Sequence, residues 1–181
     1  MYMTGSFEYP DFVARFYDVI YKKVRAEVDT GYFINKILAT KGKVLETKEQ
    51  IAFLNNVHDH LNDKGIFTFD LFVPDPELMA EGIDNLTDFE GEYEPGKKVR
   101  RTVSSRTDIV NQLLDVTMKF AWDEDNKQIE KEWNLKMRLF FRYELEYLVR
   151  LSRLTLVNIF GDYNENPLNA GSKEFVIVCR K

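Results

Sequence analysis

The spacing of apolar residues changes twice along this chain of 181 residues, and these changes constrain its fold class. Within residues 74–141, apolar side chains recur at every second position, most clearly at 114–120 and 133–139. A period of two is typical of strands that bury one face. Helical spacing and short apolar runs occupy the remainder. The sequence therefore predicts an α/β core formed by residues 1–73 and 142–181, with an inserted antiparallel β-sheet between them.

Local signals place the individual elements. Helical spacing is found at residues 12–21, 24–38, 47–61 and 142–153, and short apolar strands are expected at 44–45, 66–72, 154–160 and 175–179. Asp11 is the expected N-cap of the first helix, and Thr47 with Gln50 three residues later fits a capping box. The stretch 75–95 is acidic and rich in turn residues, which predicts irregular structure with a short helix at 76–80.

Composition excludes several classes of function. A net charge of −5 argues against a nucleic-acid partner, because phosphate binding relies on clustered Lys and Arg. The lone Cys179 cannot form an internal disulfide and fits a reducing compartment. No apolar stretch approaches the roughly 20 residues of a membrane span. His58 and His60 lie two apart on a predicted helix and point to different faces, so metal-ligand spacing is absent. We expect a soluble cytoplasmic protein without a metal, nucleic-acid or membrane partner.

Several short strings follow one another in a specific order. They are FYDVIY at 16–21, KVLE at 43–46, LNDKGIFTFD at 61–70, ELEYL at 144–148, FGDY at 160–163 and KEFVIVCR at 173–180. Together they resemble the class I S-adenosylmethionine-dependent methyltransferases, specifically the small-molecule type with an antiparallel insert after the fifth strand. The resemblance implies a Rossmann-like methyltransferase sheet, S-adenosylmethionine as donor and a small-molecule acceptor.

The resemblance also implies roles in donor binding for four residues. Tyr17, Asp18 and Tyr21 lie on the helix that covers the donor site in that family, and the alternative is that the tyrosines pack and Asp18 is solvated. Glu46 takes the place of the acidic residue of the family's first motif, and the alternative is a simple carboxylate at a strand end. No catalytic base can be named.

Candidate acceptor contacts come from the residues and from the resemblance. Asp70 and Phe72 lie near the end of an apolar strand, where open α/β sheets place their ligands. Burial of the Asp70 carboxylate requires a partner, and a salt bridge to an arginine is the competing explanation. Arg106 and Arg142 either clamp an acidic substrate or pair with acidic side chains. In the family the insert walls the acceptor pocket, which adds Tyr93, Phe120 and Trp133, all of which could instead be core residues.

The donor-binding loop has no counterpart in the sequence. Glu46 is followed directly by a helical pattern, no Gly-x-Gly occurs, and the first glycine after Glu46 is Gly65. Glycines are needed there because they let backbone N–H groups approach the donor. By the resemblance, about two βαβ units, or roughly 60 residues, are missing.

Three functional alternatives follow from this shortening. The chain is a methyltransferase, a donor-dead derivative that acts as an interaction or regulatory module, or a shortened form of a longer enzyme. The first strand would then close against the strand at 66–72, and the chain alone would bind the donor weakly or not at all. A sheet edge left open in this way invites pairing with another chain, so we expect a homodimer.

Overall fold

A computed structural model describes residues 10–24, 44–124 and 127–181. In chain order the elements are α1 (Asp11–Val24), α2 (Thr47–His60), β1 (Ile66–Phe72), α3 (Pro76–Glu81), β2 (Ile83–Glu94), β3 (Lys97–Asp108), β4 (Leu113–Glu124), β5 (Lys127–Arg138), α4 (Arg142–Leu151), β6 (Thr155–Phe160) and β7 (Glu174–Arg180). The helix expected at 24–38 lies outside the described residues, apart from its first position. The chain divides into two compact units, Met1–Lys43 with Glu77–Arg138, and Val44–Pro76 with Leu139–Lys181.

The first unit contains a four-stranded antiparallel sheet in the sequential order β2-β3-β4-β5. Strands β3, β4 and β5 follow the predicted alternation, and Phe120 on β4 lies opposite Arg101 on β3 and Lys131 on β5. The tight turn between β2 and β3 contains Gly96 at φ +75°, a backbone conformation that favours glycine.

Strand β2 corrects the expectation of irregular structure at 75–95. Its acidic residues lie opposite basic residues of β3, with Glu90 opposite Arg100 and Glu92 opposite Lys98. Opposite charges across a strand pair stabilise the pairing, whereas the same acids read alone along the sequence disfavour a strand. The short helix predicted at 76–80 is present as α3.

Helix α1 packs against the sheet of the first unit. Phe12, Phe16 and Ile20 on one face of the helix form a core with Phe89 of β2, Val99 of β3, and Phe120 and Trp122 of β4. These three helix residues follow the i, i+4, i+8 spacing of an amphipathic stripe. The sequence-predicted helical face is therefore the face that packs.

The second unit contains a three-stranded sheet in the order β1-β7-β6, in which β7 is antiparallel to both neighbours. Leu54 of α2 and Leu145 and Val149 of α4 form a core with Phe175, Ile177 and Cys179, which alternate along β7. Both helices therefore pack against the odd-numbered face of β7. The predicted combination of α/β structure with an antiparallel sheet is confirmed.

The start of α2 differs from the sequence-based expectation in two ways. Residues 44–46 are not in a strand, so the first strand expected at 44–45 is wrong for these residues, and β1 pairs with β7. The capping box is formed by Glu46 and Glu49 instead of Thr47 and Gln50, because the helix begins one residue earlier than a cap at Thr47 predicts. Gln50 instead donates from Nε2 to the carbonyl oxygen of Leu45 at 2.7 Å.

Candidate functional site

Three of the predicted acceptor contacts lie in one aromatic cluster of the first unit. Tyr93, Phe120 and Trp133 all pack with α1 in the core described above. The Phe16 ring lies edge-on to Tyr93, with centroids 4.9 Å apart. Phe120 is only 1% exposed, whereas Tyr93 and Trp133 are partly buried. Phe120 therefore serves packing in this structure, and the other two have surface that a ligand could contact.

Arg15 ties α1 to the strands around this cluster. Its Nη1 donates to Glu124 Oε1 at 2.8 Å, and its guanidinium lies over the Tyr93 ring at 5.1 Å. The hydrogen bond from Arg15 lowers the pKa of the Glu124 carboxyl below its ordinary value, with a smaller contribution from the indole N–H of Trp122. A cation above an aromatic face is attracted by the negative charge of the ring face. The aromatic cluster is thus closed on one side by a charged contact.

The predicted donor residues of α1 are only partly described. Tyr17 is half-buried, next in sequence to Phe16 of the cluster. Asp18 and Tyr21 lie on α1, but their side chains fall outside the described part of the structure.

An ion pair that sequence analysis missed adjoins the aromatic cluster, and its guanidinium is buried whereas its carboxylate is partly exposed. Arg101 is 7% exposed, and its Nε and Nη2 donate to the two carboxylate oxygens of Asp88 at 2.9 and 2.6 Å. Arg101 lies opposite Phe120 in the strand register. A buried guanidinium needs such a carboxylate because its desolvation is otherwise uncompensated. The signal in the sequence is the position of Arg101 between Val99 and Val103, which places a charge on the apolar face of a strand.

Neither predicted arginine clamp is free of other contacts within its unit. Arg106 donates from Nη1 to the carbonyl oxygens of Ile83 and Ser105, at 3.0 and 2.8 Å. It lies over Gly82, where a Cβ would come within 2.7 Å of Nη1. Arg142 donates from Nε to Glu146 Oε1 at 3.0 Å, one helical turn along α4. The Arg142 contact matches the alternative of pairing with an acidic side chain, and Arg106 binds backbone instead.

Asp70 and Phe72 lie on one face of β1, together with Thr68. Phe67, Phe69 and Leu71 point to the opposite face, where they pack against the core of the second unit. Asp70 is half-buried and lies opposite Val176 of β7, and Phe72 is exposed. Within the described ranges the Asp70 carboxylate makes no ion pair with an arginine.

Glu46 is engaged at the N-terminus of α2. Its backbone N–H donates to Glu49 Oε2 at 2.9 Å, and its carbonyl oxygen accepts from the N–H groups of Glu49 and Gln50. These are the bonds that satisfy a helix start. Glu46 therefore acts as a helix cap in this structure, and the chain continues from it into a helix without a glycine-containing loop.

The remaining reactive groups offer little chemistry. Burial raises the pKa of the Cys179 thiol to about 11, which keeps it protonated at neutral pH. In the described ranges, no group of three or more His, Cys, Asp or Glu side chains could hold a metal ion. Among the described helices, none has the length and apolar character needed to cross a membrane.

Comparisons with known proteins show the fold through solved structures alone. No protein-family model matches the sequence, and no curated protein sequence matches it. An S-adenosylmethionine-dependent methyltransferase from Clostridium acetobutylicum matches with a TM-score of 0.62 and 12% identity, covering 75% of this chain and 52% of that one. The CcbJ methyltransferase from Streptomyces caelestis matches with a TM-score of 0.58 and 20% identity, covering 75% and 54%.

A third solved structure agrees with these two. CalS10, an amino pentose methyltransferase from Micromonospora echinaspora with S-adenosylmethionine bound, matches with a TM-score of 0.56 and 14% identity, covering 76% and 52%. The chain spans about half the length of the structures that it matches. The methyltransferase fold implied by the sequence motifs is thus confirmed: over about three quarters of its length, this chain has the fold of class I S-adenosylmethionine-dependent methyltransferases.

Proposed function

We propose that this chain is a methyltransferase-family protein whose reaction transfers a methyl group from S-adenosylmethionine to a small-molecule acceptor. The observation that carries this proposal is the shared fold with solved methyltransferases over three quarters of the chain. One of these neighbours acts on an amino pentose, so an amino sugar is the first acceptor to test. Transfer of this kind depends mainly on bringing donor and acceptor together in line, with a base where the acceptor must lose a proton.

The described residues at the expected donor site do not fit the donor. A donor loop needs free backbone N–H groups at positions without a Cβ. Here the N–H of Glu46 is bound to Glu49, and no glycine lies between Glu46 and Gly65. We therefore assign no step of methyl transfer to these residues.

Acceptor contacts in the proposal are restricted to side chains with accessible surface. These are Tyr93 and Trp133 in the first unit, and Asp70 and Phe72 in the second. Aromatic faces and a carboxylate are suited to the C–H faces and the hydroxyl or ammonium groups of a sugar. Arg106 and Arg142 would have to exchange their present contacts for a substrate, so they are secondary candidates.

The hydrogen bonds that hold Glu46 at the start of α2 favour a second function. In this alternative, the chain is a donor-dead derivative that binds other molecules without catalysis. In that case the donor site is lost and the acceptor surface is retained as an interaction module. A second copy of the chain is the partner that we propose for such a module. The protein is expected to work in the cytoplasm, as its single buried cysteine suggests.

Calorimetric titration separates the two functions. The 181-residue protein, verified by mass, is titrated with S-adenosylmethionine and S-adenosylhomocysteine. Binding with a dissociation constant of about 1–100 μM supports the methyltransferase, and an amino-sugar acceptor is then tested. Absence of binding at about 1 mM donor, with folding verified by circular dichroism, contradicts it and leaves the donor-dead module.

A matched pair of variants tests the role of α1 in donor binding. If α1 covers the donor, Tyr17→Ala is expected to weaken binding about tenfold, the cost of one lost contact of about 1.4 kcal/mol. Tyr147→Ala is the control, because Tyr147 is an exposed tyrosine on a helix of the other unit. Equal affinity for both variants would remove Tyr17 from the donor site.

A further inference from the structure

The backbone of β1 offers hydrogen-bonding groups along one edge. Two backbone hydrogen bonds flank the β1–β7 ladder, one at each end. The carbonyl oxygen of Gly65 accepts from the N–H of Lys181, and the N–H of Val73 donates to the carbonyl oxygen of Lys173. In an antiparallel ladder the bonded positions alternate, so the odd-numbered residues of β1 direct N–H and C=O toward β7. The even-numbered residues Ile66, Thr68, Asp70 and Phe72 direct theirs to the other edge, where no described strand pairs with β1.

The order of side chains along β1 is palindromic about Phe69. Read outward from Phe69, the strand has polar residues at 68 and 70, and apolar residues at 67 and 71 and at 66 and 72. Antiparallel pairing of two identical strands around Phe69 therefore places polar opposite polar and apolar opposite apolar. Ile66 is 67% exposed and Phe72 is 41% exposed, and this register brings them together. Burial of such residues favours association.

Charge selects this register over its neighbours. An acidic residue on an edge strand normally discourages pairing with another chain. A two-fold axis centred on Asp70 would set two carboxylates opposite each other, and one centred on Thr68 would set Asp70 opposite Ile66. With the axis at Phe69, each Asp70 lies opposite a Thr68 of the second copy, whose hydroxyl can donate to the carboxylate.

We propose that β1 is a self-association strand, which pairs antiparallel with β1 of a second copy about a two-fold axis at Phe69 and joins two three-stranded sheets into one. This rests on the second copy that the proposed function names as partner, and it is independent of methyl transfer. In this register each even-numbered residue donates one N–H and accepts at one C=O, so the edge is satisfied. The side chain of Asp70, a candidate acceptor contact, would lie at the seam between the copies.

Opposite charge substitutions at Thr68 test the register in the full-length protein. Sedimentation velocity across protein concentration is expected to show a dimer for the unmodified chain. Thr68→Asp places a new carboxylate opposite Asp70 of the other copy, at both symmetric positions of the dimer. The repulsion should raise the dissociation constant about tenfold or more. Thr68→Lys places an ammonium opposite each Asp70 and should lower the dissociation constant. Circular dichroism checks the fold of each variant, and the opposite signs distinguish charge from a general loss of stability.

Thr155→Asp and Thr155→Lys are the matched controls, because Thr155 is an exposed threonine on β6, the other outer strand of the same sheet. Neither control should change the dissociation constant. A monomer at about 100 μM would overturn both the second copy as partner and the β1 register. A dimer whose dissociation constant moves in the same direction for both Thr68 variants, or as much for the Thr155 controls, would overturn the register alone.

Discussion

Truncation of Phe16 to alanine tests whether aromatic packing holds α1 on the four-stranded sheet. Phe16 is fully buried, and its ring lies 4.9 Å from the Tyr93 ring and 5.0 Å from the Trp122 ring, edge-on to both. Removal of a buried phenylalanine ring takes away about 150 Å² of apolar burial, which corresponds to about 4 kcal/mol. Measured Phe→Ala substitutions in protein cores fall in the range of about 3–5 kcal/mol.

Tryptophan fluorescence measures this change in the first unit alone. The chain has two tryptophans, Trp122 and Trp133, and both lie in the sheet that α1 packs against. Urea unfolding followed by their emission should show the free energy of unfolding of Phe16→Ala lowered by about 4 kcal/mol. Phe16→Leu retains much of the buried volume and should lose about 1–2 kcal/mol.

An exposed tyrosine of the second unit provides the control for Phe16→Ala. Tyr147→Ala removes an exposed ring from the other unit and should change the tryptophan-detected free energy by less than about 0.5 kcal/mol. A loss below about 1 kcal/mol for Phe16→Ala would show that α1 is not held by this cluster. The helix would then be available as a mobile cover, and the structural role argued for Phe16 would be wrong.

Three further substitutions or conditions test individual contacts. Asp88→Ala leaves the buried guanidinium of Arg101 without its bidentate carboxylate. The free energy of unfolding in the same fluorescence assay should fall by about 3 kcal/mol. A change near zero would refute the contribution of this ion pair to stability. Glu49→Ala removes the acceptor for the Glu46 N–H and should lower the free energy of unfolding by about 1 kcal/mol, measured by thermal melting. Thr47→Ala should lower it by less than about 0.5 kcal/mol. A larger loss for Thr47→Ala than for Glu49→Ala would support the capping box of Thr47 and Gln50 that the sequence predicts. Because burial raises the pKa of Cys179 from 9.0 to about 11, stability should be unchanged by this thiol below pH 9 and fall as the pH rises from 9 toward 11, where the unfolded state loses the proton first. Rapid labelling of native Cys179 by a thiol reagent at pH 8 would contradict its burial.

Local patterns in the sequence were sufficient for the elements whose signal lies within one segment. The alternation at 114–120 and 133–139 predicted β4 and β5, and the apolar stripe of α1 predicted the face that packs. A period of two or of 3.6 is a property of consecutive residues, so it can be read without knowledge of the neighbours. The order of short motifs likewise indicated the methyltransferase fold found by comparison with solved structures.

Contacts between distant segments were decided by the tertiary structure. Strand β2 is acidic and turn-rich in isolation, and it becomes a strand because β3 supplies opposite charges across it. The role of Phe120 as a core residue depends on α1, which is about 100 positions earlier in the chain. The sequence shows that Arg101 interrupts an apolar face, but its partner Asp88 is set by strand register. Sequence by itself determined which residues form helices and strands with strong periodicity; the pairing of charges and rings was decided only in three dimensions, because it depends on which segments fold against each other.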